Sequence, residues 1–507
     1  VLHASASYVP DSLDIQTKRD GNILWEARLV FDSLVYLDAS GKPAPWLAKA
    51  WSLSPDERTC TFTLREDVTF SDGTRFDAAA VKANGDRIKS LAWDSQLASA
   101  YLSPVDSIEI VSDFVVRFHL SAPYPDLLPY LAQSWFGLIS PRQIRENPAS
   151  IGTRPIGTGP FVITDNEPGK QITFKRRDDY HWAPETLHHS GPAYLESIVL
   201  EAIPNEKARA EALTTGKDGL TFEAPLLSVE QLRSLPNLTV SNRIRPGAPL
   251  RALTFNTHRF PFDDVAVRRA AAKALDRKKI ADLIAPNEFL PKNDFLDLGT
   301  VGYAPEFSDV LGYDPAAASA LLEADGWTQR NSEGIRVKNG KPLTGELLTT
   351  GTERTTPVSI TEIQSELKQV GIDLKLTYVK SAELDARVAS GNYDAISGGW
   401  WTSPSPDVLF FLYHSSQQSR QRHFGHDTAG IADPILDDLL IRARTTSAPA
   451  TRTALYRDAQ RRLVELVPTV SLHESHHVIA YDRQLRGVLF DTTHNTPILT
   501  ATWLSPE

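Results

Sequence analysis

Pro45-Trp46-Leu47-Ala48-Lys49-Ala50-Trp51, followed by Phe62-Thr63-Leu64-Arg65-Glu66-Asp67-Val68-Thr69-Phe70-Ser71-Asp72-Gly73-Thr74 and Phe76-Asp77-Ala78, is the stretch from which the fold is read. Apolar residues alternate in Cys60-Thr61-Phe62-Thr63-Leu64, the two-residue period of a strand with one buried face. Ser71-Asp72-Gly73-Thr74 is a turn by composition, and Asp77 stands as N-cap before a helical run from Ala78 to Ile88.

Working outward, Ile108 to Leu120 alternates again and predicts a hairpin. Asp314-Pro315 opens a helix that Gly326 closes, with N-cap, N1 proline and C′ glycine in place. Phe262 to Ile284 and Arg452 to Val467 read as amphipathic helices, the second with Leu455, Ala459, Leu463 and Leu466 on one stripe. One pattern occurs twice: Ala212-Leu213-Thr214-Thr215-Gly216 leads through Asp218 to Leu220, and Val388-Ala389-Ser390-Gly391 leads through Asp394 to Ile396. Each reads as a helix end, a glycine cap and a turn into a strand. Strands and helices alternate throughout, which points to α/β architecture with open sheets.

Composition narrows the class. The chain has 507 residues, 41% hydrophobic and 23% charged, a length of several folding units. No window approaches 18 uninterrupted apolar residues, so no spanning helix is expected. The single cysteine, Cys60, excludes a disulfide framework and a CxxC site. A net charge of -10 argues against general nucleic-acid binding. The sequence opens at Val1 without a basic or apolar leader, as in a cytosolic chain or one whose signal segment has been removed.

Three places hold residues with chemistry. His473-Glu474-Ser475-His476-His477 satisfies the H-E-x-x-H zinc-hydrolase string, whose histidines must lie one helical turn apart. The flanks Val470-Ser471-Leu472 and Val478-Ile479-Ala480-Tyr481 read as strand, which sets His473 and His477 about 13 Å apart. Second, His414, His423 and His426 form a polar loop cluster, read either as solvated or as supplying an imidazole to a ligand or chelated metal. Third, Trp400-Trp401 follows Gly398-Gly399 at the end of an apolar strand and either lines a cleft or packs in the core. No nucleophile elbow, phosphate loop or dinucleotide fingerprint is present.

The opening stretch resembles the signature of the family 5 extracellular solute-binding proteins, the dipeptide, oligopeptide and nickel-binding group of ABC importers. Pro155-Ile156-Gly157-Thr158-Gly159-Pro160-Phe161, Phe255-Asn256-Thr257, Val267-Arg268-Arg269-Ala270, Tyr313-Asp314-Pro315, Gly326-Trp327, Val370-Gly371-Ile372 and Asp433-Pro434 continue the match in order. The resemblance implies a two-lobed α/β periplasmic-binding-protein fold (type II, cluster C-like) with a hinge. Lobe I is expected at 1–247 with 471–507 returning to it, and lobe II at 248–470. It implies capture of a small peptide or a nickel or other metal chelate between lobes, for delivery to a permease and its ATPase. It also implies a monomer, periplasmic or membrane-anchored outside the cell, with no catalysis and no cofactor. The expected ligand-binding residues are Trp93, Trp400, Trp401, Thr402, His423 and Arg354, with His423 a contact to a chelated metal.

Two departures bear on cargo. Thr402 stands where peptide binders of the family place the aspartate that pairs with a ligand ammonium. The segment Gln133-Ser134-Trp135-Phe136-Gly137 lacks the arginine by which the nickel branch holds a chelator's carboxylate. Arg354 either supplies that anchor or is a solvent-facing loop residue. Gly85 replaces a family aromatic inside a helix, at about 1 kcal/mol of helix propensity. The other functions weighed are a ligand-presenting sensor domain and a zinc metallohydrolase using His473, Glu474 and His477. Opines and sugars stand behind peptides and chelates as cargo.

Overall fold

The computed structural model describes residues 1–17, 24–248, 251–350, 356–398, 403–418 and 426–505; the side chains at 24, 25, 93, 96 and 356 also lie outside the description. The chain divides into two compact units, Val1–Arg243 with His477–Glu507, and Ile244–His476.

In the first unit the opening stretch builds a four-stranded antiparallel sheet in the order Ala48–Leu53, Thr59–Leu64, Val115–Leu120, Val105–Ser112. The predicted alternation sends Cys60, Phe62 and Leu64 into the core, all fully buried, while Thr61 and Thr63 face outward. Phe62 meets Phe118 edge-on at 5.2 Å; a buried phenylalanine contributes about 1.5–3 kcal/mol. Burial pushes the Cys60 thiol up to about 12, which leaves it unreactive. Asp77 caps the Ala78–Leu91 helix by accepting from Ala80 N at 2.9 Å.

That helix also explains Gly85. A Cβ there would stand 2.2 Å from Ile108 Cδ1 of the neighbouring strand, a side-chain tip that occupies the space the glycine leaves open. A tighter case is Gly157-Thr158-Gly159. Cβ atoms at 157 and 159 would fall 2.1 Å from Val30 O and 2.4 Å from Val30 C, and backbone cannot yield as a side-chain tip can. Gly159 N donates to Val30 O at 2.8 Å. Thr158 O and the Asp32 carboxylate both accept from Trp182 Nε1, at 3.0 and 2.9 Å, and burial pushes Asp32 up to about 6.

The first unit's larger sheet runs Leu238–Ile244, His476–Asp482, Leu220–Thr221, Leu2–Ala6, Ser197–Ala202, Gln171–Arg176, Phe161–Glu167. Leu2–Ala6 is parallel to both its neighbours, and the Glu206–Thr214 helix carries the chain from one to the other.

The second unit is built on a five-stranded sheet in the order Asp373–Tyr378, Thr344–Thr349, Ala395–Ser397, Arg251–Phe255, Thr469–His473. The segment 262–284, read as one helix, forms two: Val265–Ala274 and Arg277–Ile284. The break is local. Leu275 is extended, and Asp276 caps a fresh helix by accepting from Lys279 N at 3.0 Å. Asp314 caps Pro315–Ala324 as expected, with Gly326 at φ +90° beyond its end.

Candidate functional site

Each unit carries the arrangement at which open α/β sheets bind ligands: a parallel strand whose two parallel neighbours are reached in opposite directions, leaving a crevice at the carboxyl ends. In the second unit the central strand is Thr344–Thr349. The Thr356–Val370 helix leads to Asp373–Tyr378 on one side, and the Ser381–Ser390 helix then leads across to Ala395–Ser397 on the other. The chain leaves the two strands flanking this point at Thr350 and Gly398. Gly398 holds φ +119°, a conformation open to glycine and strained for other residues.

The sequence then runs directly into 351–355, with Arg354, and 399–402, with Trp400, Trp401 and Thr402; these four candidates lie outside the described residues, as does His423. Trp93 has its backbone in the short helical turn Ala92–Ser95, and its side chain is outside the description. Four of the six candidates are thus in sequence next to the switch-point strand ends. Ser403, the first described residue after 399–402, is fully buried and donates from its backbone to Pro246 O at 2.9 Å.

The first unit's switch point is furnished differently. At the ends of Leu2–Ala6 and Leu220–Thr221, the Ser7 backbone donates to Glu223 Oε2 at 3.3 Å and the Ser7 hydroxyl donates to the same oxygen. Buried Arg209 braces the same edge, donating from Nε to Glu223 O at 3.0 Å and from Nη1 to Ile203 O at 2.6 Å. This edge spends its polar groups on the protein itself.

The 133–137 segment holds no guanidinium of its own, and one lies against the residue before it, Ala132. Arg28, from the first helix, donates to Asp491 Oδ2 at 2.8 Å, to Ser33 Oγ at 2.9 Å and to Ala132 O. That cation is fully engaged and serves as a brace, with Asp491 held below the usual carboxylate range despite burial, through the attraction of Arg28 and other polar partners. Gln133 is fully buried, and its amide oxygen and nitrogen meet no hydrogen-bond partner among the described residues. Trp135 packs edge-on to His494 at 6.3 Å. Nothing in the sequence marked Arg28 or Asp491, because the pair joins positions 463 residues apart.

The zinc string lies on strands, as its flanks predict. His473 ends one strand, Thr469–His473, and His477 belongs to the next, His476–Asp482, so no helical turn brings them together. Both ring nitrogens of His477 lie against backbone carbonyls, Asn495 O at 2.9 Å and Phe222 O at 2.8 Å, so a metal has no room to approach either one. Phe289 stacks on His473 at 4.7 Å and packs on His476 at 5.2 Å. Burial lowers these two imidazoles to about 3 and about 4, so both are neutral packing groups near neutral pH. The metallohydrolase reading fails on these contacts. Among the described residues, no group of three or more His, Cys, Asp or Glu could hold a metal ion.

His414 is also a structural residue. Its Nδ1 accepts from Ser416 N at 3.0 Å, and its ring stacks on Phe410 at 4.6 Å. Asp407, near Thr402 in sequence, is fully buried with Tyr456 Oη 3.5 Å and Arg444 Nη2 3.8 Å from its carboxylate.

Comparison with known proteins fits this architecture. The sequence model of the bacterial extracellular solute-binding proteins, family 5 Middle, matches residues 42–422. The nickel-binding periplasmic protein of Escherichia coli (strain K12) is 30% identical over 462 residues, 87% of this chain and 83% of that protein. The crystal structure of NikA from Brucella suis in complex with Fe(III)-EDTA superposes with a TM-score of 0.85 at 28% identity, covering 99% of each chain. The periplasmic binding protein DppA from Helicobacter pylori, in complex with the peptide STSA, gives a TM-score of 0.83 at 25% identity over 100% of this chain and 98% of its own. The α/β fold with two units is that of the two-lobed periplasmic binding proteins. No helix among the described residues is long and apolar enough to cross a membrane.

Proposed function

Because this chain belongs to the family 5 bacterial extracellular solute-binding proteins, we propose that it captures a transition-metal chelate and hands it to the permease and ATPase of an ABC importer. The observation that carries the cargo reading is the near full-length similarity to a nickel-binding protein and to a structure holding a chelated iron, at 30% and 28% identity. In this reading the metal arrives with its own ligands. Trp93, Trp400 and Trp401 stack on the chelator, Arg354 neutralises a carboxylate, and His423 touches the metal.

Thr402 supports the choice over a free-amine peptide. A threonine hydroxyl accepts a hydrogen bond but does not neutralise an ammonium, and an unpaired buried charge costs several kcal/mol. A peptide is the second reading, supported by the DppA likeness at 25% identity. The protein acts as a monomer outside the cytoplasm, and makes or breaks no bond in its cargo: specificity is differential binding alone.

Calorimetric titration with Fe(III)-EDTA, nickel(II) with L-histidine, and the tetrapeptide Ser-Thr-Ser-Ala tests it. Saturable one-to-one binding of a chelate with no heat from the peptide is expected. Binding of the peptide alone overturns the chelate reading.

A further inference from the structure

The glutamate of the failed zinc string sits in a buried charge cluster of the second unit. Lys292 Nζ lies 2.7 Å from Asp294 Oδ1, 3.4 Å from Asp297 Oδ1 and 3.5 Å from Glu474 Oε1, and no side chain of the four is more than 4% exposed. One cation thus faces three carboxyl groups in an enclosed space. With Arg277 beside Asp294 as a second cation, ionising all three would still leave one uncompensated buried negative charge, at a cost of several kcal/mol. Asp297 Oδ2 is buried with no N–H or hydroxyl donor among the described residues, and the Glu474 carboxyl adjoins it. The missing donor is therefore a proton shared between Asp297 and Glu474. Burial raises both carboxyls, Glu474 to about 8. The other charged or titratable groups around the cluster are Arg277 beside Asp294, Tyr303 and Tyr413 around Lys292, and His473 and His476 on either side of Glu474 in sequence.

Each of the two carboxyls accepts from a backbone N–H, and two backbone bonds extend the network. Leu298 N donates to Glu474 Oε2 at 3.0 Å, and Ser475 N donates to Asp297 Oδ1 at 3.4 Å. Asp297 N donates to Gly247 O at 2.8 Å, while Arg245 N donates to Ser475 O at 2.6 Å. Residues 245–247 and 474–475 lie beside the two points where the chain passes between units, Arg243/Ile244 and His476/His477. Pro246 O in turn accepts from Ser403 N, the residue that follows the candidate Trp400-Trp401-Thr402 in sequence.

We propose that Glu474 and Asp297 are positioning residues: their shared proton ties both chain passages, and through Pro246 the start of the 403–405 segment, into one hydrogen-bonded unit, so that solute affinity depends on that proton. Above the pH at which it leaves, two carboxylates repel each other beside a single lysine and the bonds to Leu298, Ser475 and Gly247 loosen. The exchange measurement below is independent of cargo, whereas the effect on affinity rests on the function proposed above.

The test is amide hydrogen exchange of the ligand-free full chain, wild type against Glu474→Gln, at pH 6.5 and pH 9. Rates are corrected for intrinsic exchange and normalised to the Leu2–Ala6 strand. Glutamine keeps a neutral donor toward Asp297. Peptides covering 244–247, 297–300, 403–405 and 474–476 should exchange alike in the two proteins at pH 6.5. At pH 9 they should exchange ~5–10-fold faster in wild type, as expected when one proton is lost about a unit below the working pH. The same ratio at both pH values overturns the proposal. If Glu474→Gln does not fold, wild type alone must show the inflection between pH 6.5 and 9, and a flat normalised profile overturns it equally.

A second arm measures Fe(III)-EDTA affinity of both proteins at both pH values. Wild type should fall behind the variant at pH 9 by ~3-fold or more, and parity at both values removes the link to solute binding. Failure of both proteins to bind this probe at any pH counts against the chelate reading, and the exchange ratio still decides the proton.

Discussion

The two units use the same connection at the same place and furnish it differently. In the first, a helix ends before Gly216, at φ +74°, and the chain enters Leu220–Thr221 beside the parallel strand Leu2–Ala6. In the second, a helix ends at Gly391, at φ +70°, and the chain enters Ala395–Ser397 beside the parallel strand Thr344–Thr349. Beyond the strand ends the likeness stops. The first edge is closed by Ser7, Glu223 and Arg209 bonding to one another and to backbone. The second continues through Gly398 into Gly399-Trp400-Trp401-Thr402, a sequence of stacking surface and a hydroxyl with no charge of its own. A repeated scaffold therefore says where a ligand site can be, and the residues just past the strand are what distinguish the two copies.

The comparison breaks first at the scaffold. Gly159→Ala should cost about 3 kcal/mol or more, because its Cβ meets the Val30 carbonyl carbon at 2.4 Å and overpacking against backbone finds no relief. Chemical denaturation measures this, and a loss under about 1 kcal/mol would show that the approach to Val30 can relax.

The next largest effect depends on pH. His476 is half-buried and neutral, lowered to about 4 by desolvation of its ring, so its folded form binds a proton less readily than the unfolded chain. The stability tied to its neutral form is present above about pH 6.5 and is lost as pH falls toward 4, by about 2 kcal/mol. In His476→Gln the advantage of wild type should shrink over that interval, read as the difference in Tm between pH 7 and pH 4.5. A constant difference contradicts the assignment.

Trp400→Ala should weaken cargo binding about tenfold, the loss of one aromatic anchor, with Tm unchanged. Its counterpart in the first unit is Glu223→Ala, which should cost about 1 kcal/mol of stability by leaving Ser7 without its acceptor, and alter cargo affinity less than about twofold. Reversed outcomes for these two variants would exchange the roles assigned to the two edges.

The smallest effect is at Gly85. Alanine gains about 1 kcal/mol of helix propensity and spends it displacing Ile108 Cδ1, the end of a flexible side chain. Gly85→Ala alone should fall within about 1 kcal/mol of wild type, and combining it with Ile108→Val should recover about 0.5–1 kcal/mol of the clash.

What was legible in the sequence was local. Asp77, Asp314 and Gly326 announce helix ends because a cap needs only its own next three residues, and the period of Cys60–Leu64 announces its strand. The break at Leu275-Asp276 escaped, since apolar periodicity continues across it while the cap geometry does not. The zinc string was legible as strand because spacing alone does not say helix and its flanks alternate; the two strands and the ring contacts of His477 agree with that reading. Glu474 could not be read as one of three carboxyls around Lys292, because 182 residues separate Lys292 from Glu474 and only the fold closes that gap. The order of family motifs from Pro45 to Asp433 identified the fold before any contact was known, and the choice of cargo rested on single positions, Thr402 and Arg354.

The central claim is that this chain captures a metal chelate without altering it. Native mass spectrometry of the protein incubated with Fe(III)-EDTA and Ser-Thr-Ser-Ala together, followed by denaturing release, tests it most directly. The account predicts one intact Fe(III)-EDTA per chain, released at unchanged mass. A chain carrying the peptide in its place, or a chelate recovered altered, would contradict it.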